Sequence, residues 1–267
     1  MLEYETLIRL GSFIGILAVM VLLQMLIPRR HSSSALPDKA QRWSSNLLLV
    51  FAATLLVRLS LPVSAAAFAL LVEARGWALL GFTTPLLLGI ILLDLLIYWQ
   101  HRIFHQVPLL WRLHKVHHSD PWLDVTTAVR FHPLEILLSM LIKFAAIWLF
   151  GITATTVVLF EVILNGMALF NHSNARIPGD RWLRLLVVTP DMHRVHHSVH
   201  REETNSNYGF NISWWDRLFG SYVAQPRDGH EQMQIGLPEY PHGQSALRLL
   251  DLLLMPFRRR AGKATTL

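Results

Sequence analysis

Five histidines fall within 18 residues, as His101-Arg-Ile-Phe-His105 and His114-Lys-Val-His117-His118, and the second pattern returns as His193-Arg-Val-His196-His197. Imidazole is the commonest metal ligand among side chains, so the repetition points to metal binding. Residues three and four apart on a helix share a face, with roughly 5 to 6 Å between their Cβ atoms, so His101 and His105 suit a single ion. In each HxxHH the first histidine shares a face with the other two, and the last two diverge by one residue's rotation. One helix can therefore offer donors to two adjacent metals. The eight imidazoles exceed the roughly four ligands of a zinc site and the three of a facial-triad iron site, and two metals sharing them is the simpler arithmetic. The chain has no cysteine, which excludes disulfides, thiolate zinc and protein-ligated iron–sulfur clusters. Helical-bundle di-iron proteins use Glu and Glu-x-x-His, so this pattern would be a histidine-rich alternative with which iron is compatible.

These histidines need elements to hold them, and the composition says what kind. The 267 residues are 52% hydrophobic and 16% charged, against a usual charged share of about 25%, which suits a membrane protein. Crossing a bilayer takes about 20 apolar residues, and four regions supply them. These are Leu7 to Ile27; Leu47 to Val72, kinked or broken near Pro62; Trp77 to Trp99; and Leu134 to Phe170, which breaks at Gly151 and fits a hairpin. Leu10 to Ile27 is too long for a signal-peptide core and is followed by Pro28-Arg29-Arg30, so it is expected to stay as an anchor. Arg29, Arg30, Lys39 and Arg42 follow the first span, and the positive-inside rule places them in the cytoplasm and the N-terminus outside. Counting crossings then puts all the histidine clusters, and His172, on the cytosolic side. The expected fold is an all-α integral membrane helical bundle of about four spans, including a hairpin, with a cytosolic histidine-rich helical cap holding a dimetal site.

The organisation expected is 1–92 transmembrane helices, 93–225 the histidine-bearing domain, and 226–267 a tail. Within the tail, Ala246 to Phe257, followed by Arg258, Arg259 and Arg260, has the pattern of an interfacial amphipathic helix. A net charge of +6 could suggest nucleic acid, but the basic residues flank apolar runs, and membrane orientation accounts for them.

The ordered set HRIFH, HKVHH and HRVHH resembles the fatty acid hydroxylase/sterol desaturase superfamily of membrane di-iron oxygenases. The likeness extends to Arg130-Phe-His132-Pro133, Asn171-His172, Asn205-x-Asn207-Tyr208-Gly209 and Trp215-Asp216-Arg217-Leu218-Phe219-Gly220, covering about Asp94 to Gly220. Its RFHP and NYGF elements are closer to the sterol desaturase branch. The resemblance implies a cytosolic centre of two Fe ions that activates dioxygen to hydroxylate or desaturate a lipid C–H bond. It implies ligand roles for His101, His105, His114, His117, His118, His193, His196 and His197, with His172 as a ninth. His132 also matches a family motif and is carried as a tenth candidate, although a histidine before proline equally serves as a helix cap.

Asp94, Asp120, Glu135 and Asp191 are candidates to accept the second N–H of a ligating imidazole. Asn205 and Asn207 fit a turn or a hydrogen bond to a ligand, and Trp99, Trp111, Trp122, Trp214 and Trp215 fit interfacial or core positions. His200 fits the surface, and His31, His230 and His242 stand alone. The partners implied are the bilayer, a lipid substrate, and a separate electron-transfer protein or reduced pterin, since no dinucleotide fingerprint is present. Sterol or hopanoid, fatty acyl, alkylglycerol and carotenoid-like lipids all fit. The expected location is a bacterial inner membrane. Two rival readings are a zinc-dependent membrane hydrolase, which would want the glutamate of HExxH, and a metal carrier, which would want its ionisable groups near the bilayer midplane.

Overall fold

The structure, a computed structural model, describes residues 4–31, 39–240 and 247–258. Among these residues it is all-helical, and no strand forms beyond isolated bridges. The long helices are α1 (Glu5–Leu26), α2 (Lys39–Ser60), α3 (Ala65–Arg75), α4 (Leu86–Gln106), α5 (Pro108–His118), α6 (Pro133–Phe150) and α7 (Ala154–His172). Short helices follow: α8 (Asp180–Leu183), α9 (Pro190–His196), α10 (Arg201–Thr204), α11 (Trp214–Leu218), α12 (Gly229–Gln232) and α13 (Leu249–Leu254). Five helical segments, Glu5–Leu26, Lys39–Arg75, Leu86–Gln106, Pro133–Phe150 and Ala154–His172, are long and apolar enough to cross a membrane. The chain is an integral membrane helical bundle.

Proline and glycine set the boundaries. Residues before proline avoid the α conformation, and α2 ends at Ser60 just before Leu61-Pro62. Ser64 then caps α3 by accepting the Ala67 N–H at 3.2 Å, so the second span is a bent pair. The third span is displaced from its expected position: Pro85 starts α4, so the helix opens at Leu86, runs past Trp99 and carries His101 and His105 within its own last turns. The expected division after residue 92 therefore falls inside α4. Pro108 ends α4 and opens α5. The fourth region is a hairpin as expected, α6 closing at Gly151 and α7 opening on the Thr153 cap. Gly151 is left-handed (φ +58°), and a Cβ there would stand 2.1 Å from the Phe82 carbonyl oxygen.

The core lies between α3, α4, α6 and α7. Ala65, Ala66 and Ala69 of α3 pack with Ala146, Ile147, Val157 and Phe160, small residues allowing the close helix approach that membrane bundles use. Midway along the bundle Glu161 of α7 pairs with Lys143 of α6 and with Arg9 of α1 at 3.1 Å. Unpaired, such charges in a span would be expensive.

The polarity of the bundle is what positions the site. At one end the Glu73 carboxylate of α3 accepts the first N–H of α7 at 2.7 Å, and Thr84 N–H donates to Gly151 O at 3.1 Å. At the other end Arg29, just past α1, donates its N–H to Asn174 O at 2.9 Å, and Asn46 of α2 donates to Thr126 at 3.0 Å. The C-terminal ends of α1, α4 and α7 and the N-terminal ends of α2 and α6 thus share one end with α5 and α9. All three histidine motifs lie there.

The tail is more integrated than an interfacial helix. Leu252 and Met255, on or just past α13, pack with Leu49 of α2 and Val116 of α5. Ala246, Arg259, Arg260 and His242 lie outside the described residues.

Gly151→Ala should destabilise the bundle by about 1–3 kcal/mol through its left-handed φ and the Phe82 clash. Gly15→Ala on α1, where a Cβ meets nothing within 4 Å, should not. Thermal unfolding of both variants in detergent checks the contrast.

Candidate metal centre

Nine histidines assemble into two adjoining groups. His101, His105, His114, His118 and His196 form one, and His117, His172, His193 and His197 the other, each with its candidate donor atoms within 4.8 Å of one another. The HxxHH motifs split between them: His114 and His118 go to the first group and His117 to the second, while His196 goes to the first and His193 and His197 to the second. This is the division that helical spacing demands of consecutive histidines.

The imidazoles are aimed. His101 Nδ1–H donates to Tyr208 O at 2.9 Å, His114 to the Glu135 carboxylate at 2.6 Å, and His196 to Ser206 O at 2.7 Å. His105 Nδ1 faces Asn205 Oδ1 at 3.3 Å. With Nδ1 carrying the proton, Nε2 keeps its lone pair. In all four rings that Nε2, and both nitrogens of His118, are buried without a hydrogen-bond partner among the described residues. In the second group, His172 Nδ1–H donates to Ala168 O at 2.7 Å. There the Nε2 atoms of His117 and His172 stand 3.0 Å apart, those of His172 and His193 3.0 Å, and those of His193 and His197 3.2 Å. Two nitrogens held about 2.1 Å from one ion at roughly a right angle would be about 3 Å apart. The donor set therefore fits a metal, and imidazole suits iron, copper, nickel and zinc.

Burial, with the mutual repulsion of the rings adding to it, holds His117, His118, His193, His196 and His197 well below the ordinary histidine range. They are neutral at pH 7, the state a ligand needs. Eight of the nine rings are buried, and only His105 is partly exposed. The Trp111 ring lies beside it, 4.8 Å from His105 and 5.3 Å from His118 between centroids.

Buried arginines hold the histidine helices in place. Arg130 is fully buried and donates to Val116 O at 2.9 Å, Ser119 Oγ at 2.7 Å and Asn46 Oδ1 at 2.9 Å, fixing the end of α5 that carries His117 and His118. Arg194, equally buried, pairs with Asp191 and donates to Ser173 O at 3.3 Å, joining α9 to the end of α7 beside His172. Arg102 reaches Tyr98 Oη at 3.1 Å and Phe219 O at 3.3 Å.

The structure does not bring His132 into either group. Its Nδ1 caps α6 by accepting the Leu134 N–H at 3.2 Å, and its Nε2 lies 3.1 Å from Leu253 O, so both nitrogens are engaged. Of the four acids expected to support ligands, Glu135 alone touches one. Asp94 accepts from Ile212 N–H at 3.2 Å and Trp215 Nε1–H at 2.8 Å. It therefore holds the loop behind Tyr208 and reaches His101 only through that loop. Asp120 pairs with Arg42, and Asp191 with Arg29 and Arg194. Asn207 occupies a left-handed turn (φ 49°) and donates to Met192 O at 2.9 Å and Val223 O at 2.8 Å. His200 pairs with Asp228 near the surface, His31 is exposed, and His230 is buried 3.6 Å from Asp191. Sequence reasoning missed Trp111 against the first group and the carbonyls of Tyr208, Ser206 and Ala168. Main-chain acceptors leave no side-chain signal, although Tyr208 sits in a motif already singled out.

A family model described as fatty acid hydroxylase matches residues 86–221, just over half the chain and every histidine of both groups. The chain belongs to the fatty acid hydroxylase family. It is similar to ornithine lipid hydroxylase OlsE of Rhizobium tropici, 31% identical over 66% of this chain and 51% of that protein. It is also similar to human alkylglycerol monooxygenase, 32% identical over 48% and 28%, and to the Delta(7)-sterol 5(6)-desaturase ERG3B of Gibberella zeae, 27% identical over 57% and 45%. The matched stretch thus spans about half or less of these relatives' lengths. No solved structure gives a significant match.

Glu135→Gln should lower metal affinity about 10–100-fold by weakening the acceptor behind His114. His132→Ala should leave metal content unchanged and cost about 1 kcal/mol of stability through the lost cap. Metal analysis and thermal unfolding of the two variants check this. The unfolded chain takes up protons at histidines near pH 6.5 while the folded, metal-free rings resist them, so apo-protein stability should fall as pH drops below about 6.5. Unfolding midpoints measured in detergent across pH 5–8 check the slope.

Proposed function

We propose that this chain is a membrane lipid oxygenase with two iron ions, one in each histidine group, that hydroxylates a C–H bond of a lipid using dioxygen and external electrons. The observation that carries the reading is the set of nine convergent imidazoles, eight of them buried, split five and four, at one end of a membrane bundle in a fatty acid hydroxylase family member. The iron pair, when bound, supplies dioxygen activation and C–H oxidation. His101, His105, His114, His118 and His196 would hold one ion, and His117, His172, His193 and His197 the other. Five donors on the first ion exceed the four of a tetrahedral zinc site.

The chain's own residues do the positioning. Tyr208 O, Ser206 O, Ala168 O and Glu135 fix ring tautomers, and Arg130 and Arg194 lock the histidine helices together. The buried surroundings exclude water, which leaves the partly exposed His105, beside Trp111, as the side from which a substrate chain is received. Arg29, Arg30, Lys39 and Arg42 at this end support a cytosolic orientation in a bacterial cell membrane, where a soluble electron-transfer protein or reduced pterin would meet the site.

The zinc-hydrolase reading is weakened because Glu135, the carboxylate beside the first group, is turned to His114 Nδ1 as a support. The carrier reading is weakened because the histidines gather at a bundle end. Desaturation is the second reading, favoured by the sterol desaturase relative.

Protein extracted gently and purified without chelator should hold about two irons per chain, and His117→Ala and His118→Ala should each remove one or both ions and abolish product. Lipids from cells with and without the gene should differ by species carrying one added oxygen atom; loss of two hydrogens would select desaturation. One zinc per chain, or no metal after iron-replete growth, would overturn the oxygenase reading.

A further inference from the structure

The basic residues after α1 are not equivalent once the chain is folded. Arg29 is taken by Asp191 at 3.1 Å and Glu231 at 3.2 Å, and Arg42 by Asp120 at 2.9 Å and by Asp124. Arg30 meets no carboxylate among the described residues. One nitrogen donates to Met233 O at 2.8 Å and the guanidinium lies over the Trp122 ring at 5.2 Å, while Nε and Nη1 are buried with no acceptor. Lys39 likewise meets no carboxylate and lies over the Trp43 ring at 4.8 Å.

Arg30 and Lys39 face a common cleft of about 190 Å³ between the end of α1, the start of α2 and the histidine cap, lined also by Gln24, Met25, Trp122 and Asn174. Asp124, the acid lining it, is already bound by Arg42 and by the Trp43 indole N–H at 2.9 Å. Among the described residues no carboxylate is left to pair with Arg30 or Lys39 in this cleft, and Arg30 keeps two N–H donors without an acceptor, a combination that favours an anion there. Burial, with Arg194 and Arg29 close by, pulls Arg30 down to about 10, so it remains charged at neutral pH. Beside the cleft α1 turns an apolar strip outward, the side lipid would meet: Met25, which lines the cleft, is 70% exposed, and Leu22 and Leu26 next to it are 55% and 67% exposed.

We propose that this cleft binds the phosphate of a membrane phospholipid headgroup, with Arg30 and Lys39 on the phosphate and the acyl chains along Leu22, Met25 and Leu26 of α1. Charge and the orphaned donors call for an anion, and the adjoining lipid-facing strip favours an anion attached to acyl chains over a free one. The site is independent of the reaction proposed above, because it lies outside both histidine groups and uses none of their residues.

The test titrates the purified holoprotein, in neutral maltoside detergent, with short-chain phosphatidylglycerol, with the matching neutral diacylglycerol, and with sodium phosphate, reading the unfolding midpoint. Phosphatidylglycerol should raise the midpoint with saturation, and the other two should not. Arg30→Gln should weaken the apparent affinity at least about tenfold, as loss of a charge-assisted contact implies. Lys39→Gln, an exposed change that leaves the fold intact, should weaken it severalfold, with iron content and lipid oxidation as readouts of the separate reaction. An equal shift from phosphate alone would overturn the lipid assignment. An equal shift from the diacylglycerol, or affinities unchanged in both variants, would overturn the site.

Discussion

The convergence of nine imidazoles at one end of the bundle, eight of them buried, is the constraint on which the structure turns. Each buried nitrogen lone pair without a donor is unfavourable, and several of them stand about 3 Å from one another. A metal ion is a partner that satisfies many nitrogen donors at once, and each of the two groups has a donor set that could hold one. Most of the surrounding polar chemistry keeps the rings facing inward. Carbonyls of residues 168, 206 and 208 and the Glu135 carboxylate hold the protons on the far side of their rings, and two fully buried arginines fasten the helices that carry them.

The bundle supplies this centre with a fixed platform at the membrane boundary. Small residues let α3 approach α6 and α7, the tight turn at Gly151 folds the hairpin back, and the Lys143–Glu161–Arg9 pairs tie three helices together within the apolar layer. The histidine end is correspondingly polar, with Arg42, Asp120, Asp124 and Arg130 buried in one network that joins α2 to the segment after α5. An apolar bundle below and a hydrogen-bonded cap above hold the histidines at one end of the spans.

Much of this was legible in the residues. Helical spacing within HxxHH separates neighbouring histidines, which the structure indeed assigns to different groups, and apolar run lengths with Pro62 and Gly151 gave the spans and the hairpin. What stayed hidden depended on contacts distant in sequence. Asp94 lies on the His101 face of α4, yet its partners are the Ile212 N–H and the Trp215 indole, while His101 bonds the Tyr208 carbonyl of the same segment. His132 matches a motif like those of the clustered histidines, but it is the residue that caps α6, and its ring accepts the Leu134 N–H. Trp111 fits an interfacial or core position by its pattern, and only the folding of α5 sets its ring against His105. The onset of α4 was misjudged because Trp77 to Pro85 is apolar without being helical, and hydropathy alone does not separate the two.

The order of these histidines along the chain also bears on biogenesis. The first group closes with His196 and the second with His197, and the carbonyls that set the His196 and His101 rings belong to Ser206 and Tyr208. A nascent chain emerges from its N-terminus, so α1 to α7 have left the ribosome before either group is whole. On the reading proposed above, metal loading would follow the synthesis of α9, and a chain interrupted before residue 196 would lack a donor from each group.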